Sequence, residues 1–124
     1  MDWKLRSDLP IYSQLIEQMK LAIASGEFKP GERLAPVRDM AAQAGVKPNT
    51  MQRALQELER EELVYSQRTV GRFVTENAAA IDAVKKSLAG DRAKEFLAAL
   101  KALGYDSGEI ISLIKENLKE ENNE

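Results

Sequence analysis

Apolar residues recur at helical spacing in three stretches of the N-terminal half of the chain. They predict a helix over residues 10–25, a short helix over residues 36–44, and a third helix within residues 46–61, VKPNTMQRALQELERE. Gly26 and Gly45 follow the first two helices, as is common at helix C-termini. The predicted inward-facing residues are Ile11, Leu15, Met19 and Ile23 in the first helix, Val37, Met40 and Ala41 in the second, and Met51, Ala54, Leu55 and Leu58 in the third.

The second and third predicted helices are joined by a tight turn, which is the arrangement of a helix-turn-helix whose second member reads the major groove. The following stretch, LVYSQRTVGRFV, predicts a short β-hairpin with its tip near residues 68–71. A hairpin in this place is a wing, suited to phosphate or minor-groove contact. We therefore predict a mainly α fold with a small β-hairpin, in which residues 1–76 form a winged helix-turn-helix DNA-binding domain.

From Asn77 onward the composition shifts to alanine, lysine and leucine. Asn77 can cap a helix that extends to about residue 103, and Gly90 is a weak point in it because glycine costs about 1 kcal/mol relative to alanine. Asp106 and Glu109 can form a capping box for a last helix over about residues 107–119. Residues 77–124 are therefore predicted to form a helical hairpin.

This predicted hairpin carries more apolar side chains than two short helices can bury. A second copy of the chain would cover them and form a two-fold homodimer. Two short helices do not enclose a ligand cavity of roughly several hundred Å³, so the sequence identifies no small-molecule effector. The residues predicted to form the dimer interface are Ile81, Val84, Leu88, Phe96, Leu100, Ile110, Ile111, Leu113, Ile114 and Leu118.

The exposed face of the third helix changes in chemistry along its length. Its first half carries basic and amide side chains, whereas its second half carries glutamates that we expect to form a solvated face. The net charge of the chain is −2, yet residues 33–56 hold four basic side chains and one acidic one. A helix that directs its N-terminal end toward a polyanion has this distribution. The polar residues of the first half are Lys47, Asn49, Thr50, Gln52, Arg53 and Gln56.

The chain has 124 residues, with no cysteine and no histidine. Their absence excludes a disulfide framework, a zinc site built on thiolates or imidazoles, and a Ser-His triad. No catalytic arrangement of the other side chains stands out, so we expect neither an enzyme nor a cofactor. The N-terminal sequence lacks the apolar core of a signal peptide, and no run of about 18 apolar residues exists. We therefore expect a cytoplasmic protein with no membrane partner.

The stretch PGERLAPVRDMAAQAGVKPNTMQRALQELEREELVYSQRTVGRFV resembles the GntR-type winged helix. The shared motifs include Pro-Gly-Glu-x-Leu, Gly-Val-x-Pro-Asn-Thr-x-x-Arg-Ala, Glu-Leu-Glu and Gly-x-Phe-Val, and the resemblance covers about residues 10–75. The short helical tail is similar to that of the YtrA-like subfamily. This resemblance implies a bacterial repressor, often of a transporter operon, that binds double-stranded DNA and dimerises through its C-terminal helices.

The resemblance also implies which residues contact DNA, in the second helix, the recognition helix and the wing. To these we add Lys47 and Arg72, whose side chains can reach phosphates beside the helix start and the wing. The sequence departs from the family pattern at Ala35-Pro36, at Lys47, at Glu62 and at Thr69, the last two in place of glycines. The predicted DNA-binding residues are Arg38, Lys47, Pro48, Asn49, Thr50, Gln52, Arg53, Arg68, Thr69, Gly71 and Arg72.

A winged helix can also serve as a protein–protein interaction module. That alternative predicts an apolar or acidic exposed face on the recognition helix. Asn49, Gln52 and Arg53 favour the DNA-binding interpretation, because these side chains pair with base edges and phosphates.

Overall fold

The computed structural model describes residues 1–123, which contain five helices and a two-stranded antiparallel sheet. The order of elements confirms the predicted winged helix-turn-helix followed by two helices. Each helix over these residues is either too short or too polar to span a lipid bilayer. The elements are α1 Ile11–Ser25, α2 Val37–Ala44, α3 Pro48–Arg60, β1 Val64–Gln67, β2 Gly71–Val74, α4 Ala78–Ala102 and α5 Ser107–Asn122.

The chain divides into two compact units, the first of which is Met1–Lys86 and is called the head below. Its core is formed by the apolar faces predicted for α1, α2 and α3, together with residues that lead into and out of the hairpin. The four predicted apolar residues of α3 are all buried, which confirms the face of this helix that points inward. The buried core residues are Leu15, Met19, Ile23, Leu34, Met40, Ala41, Met51, Ala54, Leu55, Leu58, Leu63, Val64 and Val74.

The turn between α2 and α3 depends on Gly45. This residue has a φ of 71° and directs its N–H back to carbonyl oxygens of α2. The N–H of Val46 also returns, to the carbonyl of Ala41 at 3.0 Å. A left-handed glycine with these bonds closes the helix and lets the chain reverse within a few residues. The third helix then begins at Pro48, four residues after the end of α2.

The end of α3 has the same left-handed geometry without a glycine. Glu62 has a φ of 63°. Its N–H donates to the carbonyl of Glu59, and the N–H of Leu63 donates to the carbonyl of Leu58, both at 2.9 Å. This pair of bonds is the Schellman motif, which usually has glycine at the left-handed position. Glutamate therefore occupies this turn at a conformational cost of about 1–2 kcal/mol.

The hairpin pairs Val64 with Val74 and Gln67 with Gly71. Its turn is closed by a bond from the N–H of Val70 to the carbonyl of Gln67 at 3.1 Å, and Thr69 within it has a φ of 67°. Thr69 and Glu62 are thus the two non-glycine residues with positive φ among residues 1–123, and they are the two positions at which the sequence departs from glycines of the motif that it resembles.

The wing is joined to the rest of the head along β2. Three backbone hydrogen bonds of 2.9 Å join it to the segment before α2. The N–H groups of Gly31 and Leu34 donate to the carbonyls of Val74 and Arg72, and the N–H of Val74 donates to the carbonyl of Glu32. The segment before α2 therefore extends the hairpin on one side, and the position of the wing is fixed relative to the helix-turn-helix.

The start of α4 belongs to the head. Asn77 caps it, because its side-chain oxygen accepts from the N–H of Ala79 at 3.0 Å. Ile81 and Val84, which the sequence places in the dimer interface, pack partly buried against the head core. The head thus covers these two side chains in part, and the first compact unit extends to Lys86, past residue 76.

The second compact unit begins at Ser87 and consists of the rest of α4 and α5. Helix α4 continues through Gly90 without a break. The predicted capping box at the start of α5 is present: Asp106 accepts from the N–H of Glu109 at 2.8 Å, and Glu109 accepts from that of Asp106 at 3.1 Å. Helix α5 ends at Asn122, slightly later than predicted.

Candidate nucleic-acid interface

The first half of α3 presents a polar surface beside the wing. Pro48 occupies the first helical position, where its missing N–H costs no helical bond. Lys47, at the N-cap, makes no side-chain cap hydrogen bond and is exposed, as is Asn49. The free N–H groups and positive dipole of a helix start favour an anion. Because Pro48 has no N–H and Thr50 donates its own to the carbonyl of Lys47 at 3.1 Å, the groups at this end that suit a phosphate are the Lys47 ammonium and the N–H of Asn49.

Of the other predicted residues of α3, Arg53 is exposed, whereas Thr50 and Gln52 are half-buried. The guanidinium carbon of Arg53 lies 4.8 Å from the centroid of the Tyr12 ring on α1. This cation–π contact orients Arg53 from the side of α3 that faces α1. Gln52 instead contacts the wing, so the two neighbouring side chains are supported by different elements of the head.

The contact between Gln52 and the wing passes through Arg72. The Nε of Arg72 donates to Oε1 of Glu59 at 2.6 Å, and its Nη1 donates to Oε1 of Gln52 at 3.2 Å. Only 19% of the Arg72 side chain is exposed. Arg72, which the sequence places among the DNA contacts, is thus used within the head to join β2 to α3.

Glu57 and Glu59 of α3, and Glu61 at its C-cap, form ion pairs in place of the solvated face expected from the sequence. Glu57 pairs with Arg60, and Glu61 pairs with Lys20 of α1 at 2.8 Å. The hydrogen bond from Arg60 lowers the pKa of Glu57. Burial acts to raise the pKa of the Glu59 carboxyl, but hydrogen bonds from Ser66 and Arg72 outweigh it, and the pKa of Glu59 lies below its ordinary value.

The tip of the wing carries Arg68 and Thr69, both exposed, and the exposed side chain of Val70. Gly71 begins β2 with a φ of 142°, and a Cβ placed on it would lie 3.2 Å from Nε of Arg33. The absence of a side chain at Gly71 therefore leaves room for the Arg33 guanidinium against the wing.

Arg33 is exposed and was not among the DNA contacts predicted from sequence. The sequence feature that could have indicated Arg33 is its position in the basic stretch of residues 33–56. Its position beside the wing is seen only in the structure. Arg38, which was predicted, is exposed in the first turn of α2. Together with Lys47 and Arg68, these arginines place positive charge around the recognition helix. Among residues 1–123, no group of three His, Cys, Asp or Glu side chains is arranged to hold a metal ion.

The family model for bacterial regulatory proteins of the gntR family matches residues 11–74. The chain is 36% identical over 115 residues to an uncharacterized HTH-type transcriptional regulator of Bacillus subtilis, YhcF, covering 93% of this chain and 95% of that protein. It is 44% identical over 73 residues to the HTH-type transcriptional repressor YtrA of the same organism, covering 59% of this chain and 56% of that one.

The fold is also similar to a solved structure. A GntR family transcriptional regulator from Listeria monocytogenes superimposes with a TM-score of 0.82 at 30% sequence identity, over 90% of this chain and 98% of that one. The winged helix, the polar recognition helix and these relatives agree. The chain belongs to the GntR family of helix-turn-helix transcriptional regulators, which bind DNA and are not enzymes.

Proposed function

We propose that this protein is a sequence-specific repressor that binds a palindromic operator as a homodimer. In this proposal α3 enters the major groove and the wing lies on the adjacent backbone. The observation that supports it is the exposed polar first half of α3, flanked by a wing that is fixed to the head and carries basic residues. A regulator bound over a promoter represses by occupying it, and the relative YtrA is named a repressor.

Within this interface we assign two kinds of contact. Asn49 and Gln52 face base edges, because amide side chains pair with the donor and acceptor groups of the major groove. Lys47 and Arg68, together with Arg38, are exposed cations that suit phosphate oxygens. The remaining members of the proposed DNA-binding set are Pro48, Thr50, Arg53, Thr69 and Gly71.

We further propose that α4 and α5 form the dimer interface. None of the 25 residues of α4 is buried, and most apolar side chains of the second compact unit are exposed. Ile110, which the sequence places in the dimer interface, is the exception, because it is 2% exposed and packs within the chain. Burying a large apolar side chain contributes about 1.5–3 kcal/mol, so several left in water favour association. A second copy of this unit offers the same apolar surface by symmetry. The exposed apolar residues are Phe96, Leu97, Leu103, Ile111, Ile114 and Leu118.

A dimer presents two recognition helices to two half-sites, which accounts for a palindromic operator. Each head offers few phosphate contacts, and joining two raises the effective concentration of the second, often by about 10²–10⁴ in avidity. In this arrangement the head reads DNA, and the part of residues 77–124 that lies beyond the head, from Ser87 onward, serves dimerisation. We place the regulator in the cytoplasm, at the promoter of a transporter operon.

The test combines a genomic footprint with sedimentation of the intact chain. A footprint should find palindromic sites upstream of a small number of operons, and the neighbouring genes identify the regulated pathway. Sedimentation at micromolar concentration should give twice the 13.8 kDa mass of the chain. A monomer that binds single half-sites contradicts the dimer, and occupancy without a shared sequence contradicts specific binding.

A further inference from the structure

Arg72 of the wing is bound on two sides by α3. Its Nε donates to Glu59 at 2.6 Å and its Nη1 donates to Gln52 at 3.2 Å. Ser66 donates to the same oxygen of Glu59, so the carboxylate is itself held by the wing. Since the Arg72 side chain is mostly buried, the guanidinium has a defined position beside the recognition helix.

Arg72 also determines which way the amide of Gln52 is turned. A guanidinium has N–H donors and no acceptor, so the oxygen of the amide must face it and the NH2 group must point elsewhere. A carbonyl oxygen accepts two hydrogen bonds, and Arg72 uses one of them. The second acceptor position of Oε1 and the NH2 group of Gln52 are left for another partner.

These two groups match adenine. In the major groove adenine presents an N6 donor and an N7 acceptor, and a glutamine amide can pair with both at once. An amide that is free to turn over presents the wrong arrangement part of the time, and it must be ordered when DNA binds. An amide already held by Arg72 avoids that cost.

We propose that Arg72 is a positioning residue that fixes the amide of Gln52 and thereby strengthens its selection of adenine at one position in each half-site. This inference rests on the proposed function, in which Gln52 faces a base edge. Glu59 anchors the arrangement, because its ion pair keeps the guanidinium beside α3 and away from the phosphates. Arg72 therefore contributes to sequence discrimination without touching DNA.

The experiment enriches a library of random double-stranded DNA with the intact protein and sequences what is bound. It compares the wild type with Gln52→Ala, Arg72→Met and the double variant. In Gln52→Ala the enrichment of adenine over the other bases should fall about tenfold at one position in each half-site. Arg72→Met should lose most of that same preference and leave other positions unchanged. The double variant should match Gln52→Ala alone, because Arg72 acts through Gln52.

Arg68→Met is the matched control at the wing. Arg72→Lys is a second variant that keeps the ion pair with Glu59, so its effect on sequence preference is measured in a folded protein. Arg68→Met should weaken binding to all sequences and lower the salt slope by about one, whereas Arg72→Met should leave the salt slope unchanged. Arg72→Lys keeps the charge for Glu59 but lacks the planar fork, so it should lose the adenine preference in a folded protein.

Two results would overturn the inference while Gln52→Ala still shows its effect. One is an unchanged adenine preference in both Arg72 variants. The other is a uniform loss of affinity with a reduced salt slope in Arg72→Met, which would indicate phosphate contact. If the wild type enriches no motif, or Gln52→Ala alters no position, the proposed function itself fails and this inference with it.

Discussion

The Arg53 guanidinium lies over the ring of Tyr12, with its central carbon 4.8 Å from the ring centroid. Tyr12 is on α1, and Arg53 is on the recognition helix. In the proposed complex α1 lies outside the DNA groove, yet its Tyr12 orients Arg53, which contacts DNA. A cation–π contact of this kind contributes about 0.5–1 kcal/mol at exposed sites. Its effect on DNA binding can be separated from that of Arg53 itself.

We expect Tyr12→Leu to weaken operator binding a few-fold, because Arg53 then loses the ring that orients it. Tyr12→Phe keeps the ring and should bind as the wild type does. Fluorescence titration of labelled operator at one fixed salt concentration measures both. Equal binding by all three proteins would show that the contact has no part in recognition.

Arg38→Ala and Arg53→Ala should each cost about 1–3 kcal/mol in operator binding. The melting temperature should change little in Arg38→Ala and fall by a few degrees in Arg53→Ala, which also loses the contact with Tyr12. Titration of operator and of random DNA distinguishes the type of contact. Equal losses on both indicate a phosphate contact, and a loss confined to the operator indicates base readout. Normal affinity in either variant removes that arginine from the interface.

Lys47→Asn should stabilise the free protein and weaken its binding. Asparagine is a favourable N-cap, whereas a lysine there meets the positive end of the helix dipole and makes no cap bond. The melting temperature should rise slightly, and the salt slope of DNA binding should fall by about one unit. A salt slope equal to that of the wild type would mean that Lys47 touches no phosphate.

Glu62→Gly should raise the free energy of unfolding by about 1 kcal/mol, since glycine adopts the left-handed conformation without the cost that glutamate bears. Urea unfolding measures the change. Glu62→Ala removes the same charge and keeps a Cβ, so it should show no such gain. A gain of equal size in both would assign the effect to charge and not to the backbone.

The hydrogen bonds that Glu59 accepts from Ser66 and Arg72 make stability depend on pH, because they outweigh burial and lower the pKa of Glu59. Because the pKa of Glu59 is lowered in the folded state, its contribution is present above the pKa of the unfolded chain. It is lost as pH falls through the folded pKa. Thermal unfolding at neutral and at acidic pH should therefore show a smaller acid-induced loss in Glu59→Gln than in the wild type. Identical losses would show that Glu59 does not contribute to this pH dependence.

Ile111→Lys should dissociate the proposed dimer, because it places a charge in an apolar surface where burial is costly. Ser112→Lys adds the same charge to the next residue of α5, about 100° around the helix, and is the matched control. Sedimentation should give a monomer for the first and a dimer for the second. If both remain dimers, the interface lies elsewhere.

Local patterns were sufficient to predict the helices and the hairpin. The stripe that contains Met51 and Leu58 and the cap at Asp106 involve residues a few positions apart, where spacing determines which side chains meet. The contacts of Arg72 join residues 13 and 20 positions apart, across the wing. No periodicity encodes such a pairing, so the sequence shows Arg72 only as a basic residue of the wing that can reach DNA.

The apolar face of α4 shows a second limit of sequence patterns. Hydrophobic periodicity predicts that a side chain is buried but does not identify the surface against which it packs. Ile81 and Val84 pack on the head core, whereas Phe96 is exposed further along the same helix. Which of them belongs to the head was decided by the fold.

The left-handed turn at Glu62 also has a genetic consequence. Every glutamate codon becomes a glycine codon when its second base changes from A to G, so the less strained form of this turn is one mutation away. A strain of this size persists in evolution when the strained protein is still stable enough to function. Position 62 is therefore a ready site for a suppressor mutation, and selection for second-site rescue of a destabilised head should recover Glu62→Gly.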